Sequence, residues 1–213
     1  MIESGARISP PLDHPIIDRW CWPGAFVYRI GSNVLISEQS GGPRVRDGKL
    51  SPWMIGYADK LMLMELSKLL PDRLRARVVE TEYLGVSHTG ERIYRQPYLR
   101  PWGGIERPSR MSDWSEAKRQ EYNTGIEHRI RTVLFYDPNY TEFRHALALC
   151  VAELRRLHPS ISIDPDIPGE NDAKLISTED ILERANGEWV LCDPVQAHIP
   201  KAAHEEFWQS VGM

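Results

Sequence analysis

The sequence has few of the residues that build small cross-linked or metal-stapled domains. Only three cysteines occur in 213 residues, Cys21, Cys150 and Cys192, and no two of them form a Cys-x-x-Cys pair. Such a sparse, odd-numbered set is typical of reduced thiols in a cytosolic protein and argues against a disulfide scaffold or a zinc knot. The seven histidines form no His-Glu-x-x-His or His-x-His motif. We therefore expect no metal site built on histidine and cysteine.

Long uncharged apolar runs are also missing. The most apolar helical stretch, residues 54–70, contains Asp59, Lys60, Glu65 and Lys68, whereas a membrane-spanning helix needs about 20 apolar residues. The N-terminus has no apolar run after a basic start, so no secretory signal is visible. We expect a cytoplasmic protein without membrane contact.

Net charge is small but unevenly distributed. The chain has 30 acidic and 26 basic residues, a formal charge of −4, which argues against a protein that coats nucleic acid. Residues 92–110 nevertheless contain five arginines and one glutamate, interleaved with Tyr94, Tyr98 and Trp102. Such a segment could grip single-stranded nucleic acid or an acidic partner, or form a hinge with solvated arginines. Residues 164–193 contain nine acidic and two basic residues, which is a solvated surface or a site for chemistry.

The pattern along the chain predicts an α+β protein of two lobes. An extended arm, residues 1–23, precedes a hairpin around Gly31, a helix over 51–70 and a second hairpin over 77–97. After residue 100 the pattern becomes mainly helical, with one small hairpin and a last helix near 202–211. We therefore predict a β-rich N-terminal lobe with one helix over 24–100 and a helical C-terminal lobe over 101–213.

The small hairpin carries the main chemical signal. Asn186-Gly187 separates two short apolar runs, which is a strong hairpin pattern. Asp180 precedes the first run and Asp193 follows the second, so the hairpin brings the two carboxylates close together. Two adjacent carboxylates repel unless a cation lies between them, and hard Mg²⁺ prefers such oxygen ligands.

The run from Asp180 to Pro194, with Asp-Ile-Leu before the turn and Cys-Asp-Pro after it, resembles the catalytic-loop-to-metal-loop hairpin of the protein-kinase-like fold. It is most similar to small phage and polyvalent kinase-like proteins, in which proline follows the metal-loop aspartate. The order of hairpin, helix, hairpin and buried helix agrees with that family. The resemblance implies a two-lobed kinase-like fold with Mg²⁺ and ATP as the cofactors of an active member.

Carried over by position, the resemblance implies that Asp193 and Asp180 are metal ligands and that Glu65 is the helix glutamate that pairs with a strand lysine. The strand Val34-Leu-Ile-Ser-Glu has no such lysine, and Lys49 or an arginine of the same loop could replace it. No Gly-x-Gly-x-x-Gly and no His-Arg-Asp occurs. A second register, Asp166 to Asn171, supplies a base and a metal-ligating asparagine but needs an insertion before the hairpin.

Losing both the lysine and the base would slow phosphoryl transfer by orders of magnitude. The leading hypothesis is thus a degenerate, pseudokinase-like protein, phage-encoded in type, that binds a protein partner. The alternatives are an active ATP- and Mg²⁺-dependent phosphotransferase that uses Asp166, Asn171 and Asp193, and an unrelated α+β interaction protein such as a phage host-takeover factor.

Overall fold

A computed structural model of the protein describes residues 18–22, 25–38, 45–46, 49–50, 56–87, 91–102, 115–167 and 181–212. The strands are β1 (Asp18–Trp22), β2 (Ala25–Ile30), β3 (Asn33–Glu38), β4 (Val45–Arg46), β5 (Lys49–Leu50), β6 (Gly56–Tyr57), β7 (Glu82–Val86), β8 (Arg92–Pro97), β9 (Arg100–Pro101), β10 (Ser162–Pro165), β11 (Ile181–Glu183), β12 (Trp189–Leu191) and β13 (Val195–Ile199). The α-helices are α1 (Asp59–Leu69), α2 (Asp72–Arg75), α3 (Glu116–Arg129), α4 (Pro138–Leu157) and α5 (His204–Ser210). The predicted α+β class is confirmed, with a β-sheet region and a helical region.

The largest sheet is antiparallel, in the order β1-β2-β3-β8-β7. The predicted first hairpin is confirmed, since β2 and β3 pair across a turn in which Gly31 has a φ of 59°, a conformation that favours glycine. The second predicted hairpin is confirmed as the β7–β8 pair. The end of the predicted arm forms β1 on β2, and residues 1–17 lie outside the described residues.

Helix α1 begins later than the sequence pattern predicted. The predicted start at Ser51 and Pro52 is wrong for the described part, because Gly56 and Tyr57 pair with β13 as a short strand and the helix begins at Asp59. The N–H of Ala58 donates to the carbonyl of Ala197 at 3.0 Å, which holds the turn between strand and helix. From there α1 buries an apolar face and ends at Leu69, before Pro71.

Helix α4 is the centre of the helical region. It buries a stripe at helical spacing, namely Tyr140, Phe143, Leu147, Cys150, Val151 and Leu154. Its opposite side is open, since Leu149 is 75% exposed, so the helix is half-covered and not surrounded on all sides as its many apolar residues suggested. A π-helical turn over Ile130–Leu134 connects α3 to the loop before α4.

Two small sheets join the ends of these elements. One has the order β10-β13-β6 and the other β12-β11-β9. The predicted Asn186-Gly187 hairpin is confirmed as the β11–β12 pair, with Ile181 opposite Leu191 and with Gly187 at a φ of 84°. Asp193, two residues beyond the end of β12, is thereby placed against the first turn of α1.

The last predicted helix is confirmed as α5, which follows a 3-10 turn over Lys201–Ala203. Its Phe207 and Trp208 are buried. The Arg92 guanidinium of β8 lies 3.3 Å from the ring centroid of Trp208, a cation–π contact that joins the C-terminal helix to the large sheet. Among the described helices, none combines the length and the apolar character that crossing a bilayer requires.

Asp137 links α4 to the small hairpin, and this link is testable. Its side chain accepts from the N–H of Asn139 at 2.8 Å, which caps α4, and from Nε1 of Trp189 at 2.6 Å. We expect Asp137→Ala to lower the free energy of unfolding by about 2–3 kcal/mol, through loss of the cap and of a charged hydrogen bond. Urea unfolding followed by circular dichroism measures the change.

The matched control is Asp72→Ala. Asp72 also opens a helix, but its side chain is 93% exposed and pairs only with Arg75 three residues later, so we expect a loss of less than about 0.5 kcal/mol. Equal losses in the two variants would contradict the role given to Asp137.

Candidate functional site

A buried ion pair is the centre of the candidate site. Lys60 lies in the first turn of α1 and is 7% exposed. Its Nζ donates to Oδ1 of Asp193, which follows β12 and whose side chain is 34% exposed. Burial disfavours the charged lysine, but Asp193, Cys192 and Glu38 outweigh that effect, so the pKa of Lys60 lies above its usual value. The ammonium is therefore charged throughout the physiological range.

Glu38 approaches the same lysine from the large sheet. It is the last residue of β3, is 3% exposed, and its Oε2 has no hydrogen-bond partner among the described residues. Burial and the nearby carboxylate of Asp59 raise the pKa of Glu38 well above its ordinary value, although Lys60 opposes the shift. The environment of Glu38 thus favours its protonated form more than water does.

Asp59 ties the beginning of α1 to β13. Its Oδ1 accepts from the N–H of Ala197 at 2.6 Å. Burial and the charge of Asp193 raise the pKa of Asp59 to about 7. The Asp59 carboxylate is therefore held in place by a backbone hydrogen bond, although burial and the charge of Asp193 disfavour its ionised form.

Asp166 is held beside the segment that follows β12. Its N–H donates to the carbonyl of Pro194 at 2.9 Å, and Nε2 of Gln196 donates to its Oδ2. Burial raises the pKa of Asp166, and the charge of Asp193 adds to the shift. The β10–β13 pairing is the reason for this proximity, because Pro165 lies opposite Val195.

The four carboxylates share too little positive charge. Within the described residues, Lys60 is the lysine that pairs with this cluster, and its ammonium neutralises only Asp193 directly. The remaining acids respond to burial and to one another by retaining protons, as the raised pKa values of Glu38 and Asp59 express. The cluster, defined as Glu38, Asp59, Lys60, Asp166 and Asp193, therefore has more acidic groups than its one lysine can neutralise.

The predicted site residues divide into three groups. Asp193 and Asp166 come together in the cluster. Glu65 instead pairs with His158 of the segment after α4, with its Oε2 2.6 Å from Nε2. Lys49 lies in β5, paired with β4, and its side chain is not described. Asp180 and Asn171 lie outside the described residues, so their proposed metal-ligand roles stay predictions.

Sequence reasoning missed the lysine and two of the acids. Lys60, Asp59 and Glu38 were seen only as charges that interrupt an apolar helix or end an apolar strand. The signal that could have identified them is the Asp59-Lys60 pair at the start of an apolar helix together with a glutamate at the end of the strand Val34-Leu-Ile-Ser. Charged residues inside apolar elements are rarely buried unless they are paired.

Three of the arginine and aromatic residues of 92–102, namely Arg92, Tyr94 and Trp102, are buried, whereas Arg95 and Arg100 are exposed. Arg92 is 6% exposed against Trp208, and Arg95 pairs with Glu82. Trp102 is 4% exposed beneath the Arg129 guanidinium. In this described part the segment stabilises the fold, and residues 103–110 lie outside the description.

The described cluster does not fit a metal ion as it stands. Its oxygen donors are the type that Mg²⁺ prefers, but no three His, Cys, Asp or Glu residues of the described ranges are arranged to hold one. An oxygen of Asp193 is engaged by the Lys60 ammonium.

Comparison with known proteins adds no family assignment. A scan against protein-family models found no match. A search of curated proteins also found no similar sequence.

The protonated state of Glu38 has a measurable consequence. A folded-state pKa raised above that of the unfolded chain, about 4.3 for glutamate, means that the folded protein holds a proton that the unfolded one has lost. The contribution of Glu38 to stability therefore falls as pH rises above about 4 and keeps falling up to its folded pKa. Glu38→Gln removes this term, so we expect the variant-minus-wild-type unfolding free energy to rise with pH above about pH 5, by at most about 1.4 kcal/mol per pH unit.

Urea unfolding at a series of pH values checks this expectation. Glu80→Gln, a change at an exposed glutamate, is the matched control and should give a difference that does not vary with pH. A flat difference for Glu38→Gln would show that Glu38 is ionised in the folded protein at neutral pH.

Proposed function

We propose that the protein is a kinase-like module with a degenerate site that acts by binding a protein partner and not by transferring phosphate. The observation that carries this proposal is the Lys60–Asp193 ion pair, with Glu38 buried at the end of β3. The resemblance implies a metal ion at Asp193 and a lysine on this strand. The chain has an ammonium ion and a carboxylic acid in these places.

The kinase-like part of the proposal is supported by the order of elements. Strands β1 to β3 precede α1, which is followed by β7 and β8 in the same sheet. The long helix α4 comes before β10, and the β11–β12 hairpin leads directly into Asp193. Pairing of β10 with β13 places Pro165 opposite Val195, so the chain before the hairpin and the chain after Asp193 lie side by side.

The degenerate part is supported by charge. Phosphoryl transfer depends on positive groups that neutralise the phosphates and the developing charge. Here carboxylates outnumber the one lysine of the cluster, and the two acids Glu38 and Asp59 already retain protons because of burial and mutual repulsion. The carboxylates of the cluster would repel the negatively charged phosphates of a nucleotide, and the single lysine could not compensate for that repulsion.

A second candidate function, an active phosphotransferase, is favoured by one specific observation. The sequence lacks the strand lysine and the His-Arg-Asp base, but Lys60 and Asp166 both lie in the cluster with Asp193. In that reading Lys60 would face the phosphates and Asp166, positioned by Gln196, would accept the proton of an acceptor hydroxyl. The lysine would come from the helix and the glutamate from the strand, the reverse of the family arrangement.

Thermal unfolding with and without MgATP separates the two candidates. For the degenerate module we expect the melting temperature to stay unchanged at millimolar MgATP, and we expect no transfer of the γ-phosphate to protein or peptide acceptors. A ligand at 100 times its Kd would add about 2.7 kcal/mol, a shift that is easily seen.

Asp193→Ala and the matched variant Asp164→Ala complete the experiment. Asp164 is an exposed acid of β10 that pairs with Arg155. A MgATP-dependent shift that disappears in Asp193→Ala but persists in Asp164→Ala would overturn the degenerate reading and support the phosphotransferase. An unchanged melting temperature in all three proteins supports the degenerate module or an unrelated interaction protein.

A further inference from the structure

The positive charge in the cluster comes from a side chain of the protein and not from a bound ion. Lys60 is 7% exposed and donates to Asp193. Glu38 lies close enough to raise the pKa of this lysine further. A buried ammonium costs several kcal/mol in lost hydration, which only good partners repay, so the ion pair with Asp193 is needed to keep Lys60 in the interior.

The carboxyl groups of these acids can accept more hydrogen bonds than the described residues donate to them. An ammonium has three N–H donors. Oε2 of Glu38 is buried, in a residue that is 3% exposed, and it has no hydrogen-bond partner among the described residues. Such an orphaned polar atom in a cluster is costly unless a donor reaches it.

We propose that Asp193 and Glu38 form a binding site for a primary alkylammonium ion, that the side chain of Lys60 occupies it as a tethered ligand, and that this ammonium replaces the divalent metal ion which the resemblance implies. The inference rests on the ion pair and the buried acids, so it holds whether or not the protein binds a nucleotide.

The anchoring of α1 explains why the tethered ligand prevails over a free metal ion. Ala58 and Asp59 both hydrogen-bond to the backbone of Ala197, at 3.0 Å and 2.6 Å, which fixes the helix turn that carries Lys60. A ligand held in this way has a high effective concentration at its site. A metal ion that displaced it would also leave a buried lysine without its partner, which is strongly unfavourable.

Chemical rescue of Lys60→Ala tests the proposal. This change removes the three carbons and the nitrogen of n-propylammonium, and we expect the melting temperature to fall by about 5 °C or more. Tens of millimolar n-propylammonium chloride should restore at least half of that loss, relative to sodium chloride at equal ionic strength. Propanol lacks the charge and tetramethylammonium lacks the N–H donors, so neither should restore it.

Two comparisons make the result specific. Lys68→Ala removes an exposed lysine of the same helix and should show no response to the amine. Millimolar MnCl₂ should leave the melting temperature of the wild type unchanged. Rescue of Lys60→Ala no greater than the effect on Lys68→Ala would overturn the proposal, as would a Mn²⁺-dependent stabilisation of the wild type that disappears in Asp193→Asn.

A second measurement applies if Lys60→Ala does not fold. Acetylation of the wild type by a water-soluble ester, followed by mass spectrometry of the peptides, should modify Lys60 at least tenfold more slowly than Lys68. In Asp193→Asn the rate at Lys60 should rise towards that of Lys68. Equal rates at the two lysines in the wild type would show that the ammonium does not occupy the site.

Discussion

The Lys60–Asp193 ion pair is the contact on which the arrangement of the site depends. It joins the first turn of α1 to the residue that leaves the β11–β12 hairpin, two segments separated by 133 positions in the chain. Because the lysine is almost fully buried, it must have a partner, and breaking such a pair leaves an uncompensated charge in the interior. The backbone contacts of Ala197 with Ala58 and Asp59 fix the same corner. The location of Glu38, at the end of a neighbouring strand, then completes the cluster.

Charge imbalance gives this cluster its chemical character. One ammonium serves several acids, so the acids with poorer compensation keep their protons, and the pKa of Asp59 is raised to about 7. A site of this type has little affinity for phosphate groups unless a further cation enters with them. It is well suited to an N–H donor, because neutral and ionised carboxyl groups both accept hydrogen bonds. A preference for N–H donors over phosphate groups is therefore common to the proposed degenerate function and to the proposed tethered ammonium.

The C-terminal helix has a separate structural role that explains several residues of apparent functional interest. Arg92 stacks on Trp208, and the His158 ring, which pairs with Glu65, packs edge-on against Phe207 with centroids 5.7 Å apart. One of the five arginines of residues 92–110, Arg92, is thus buried against α5. The glutamate that the resemblance assigned to a lysine pairs with a histidine. Both cases illustrate that residue type alone does not separate a binding role from a packing role.

The sequence by itself determined the local elements. Period-two and helical patterns, with Gly31 and Asn186-Gly187 as turns, identified the α+β class and the three hairpins because these depend on neighbours in the chain. The sequence also identified Asp193 as a candidate site residue, because it directly follows the apolar run Trp189-Val-Leu-Cys. Only the tertiary structure decided that Gly56 and Tyr57 are a strand on β13 and that Lys60 and Glu38 belong to the site. These features depend on backbone pairing and burial between distant segments, for which no spacing rule in the sequence exists.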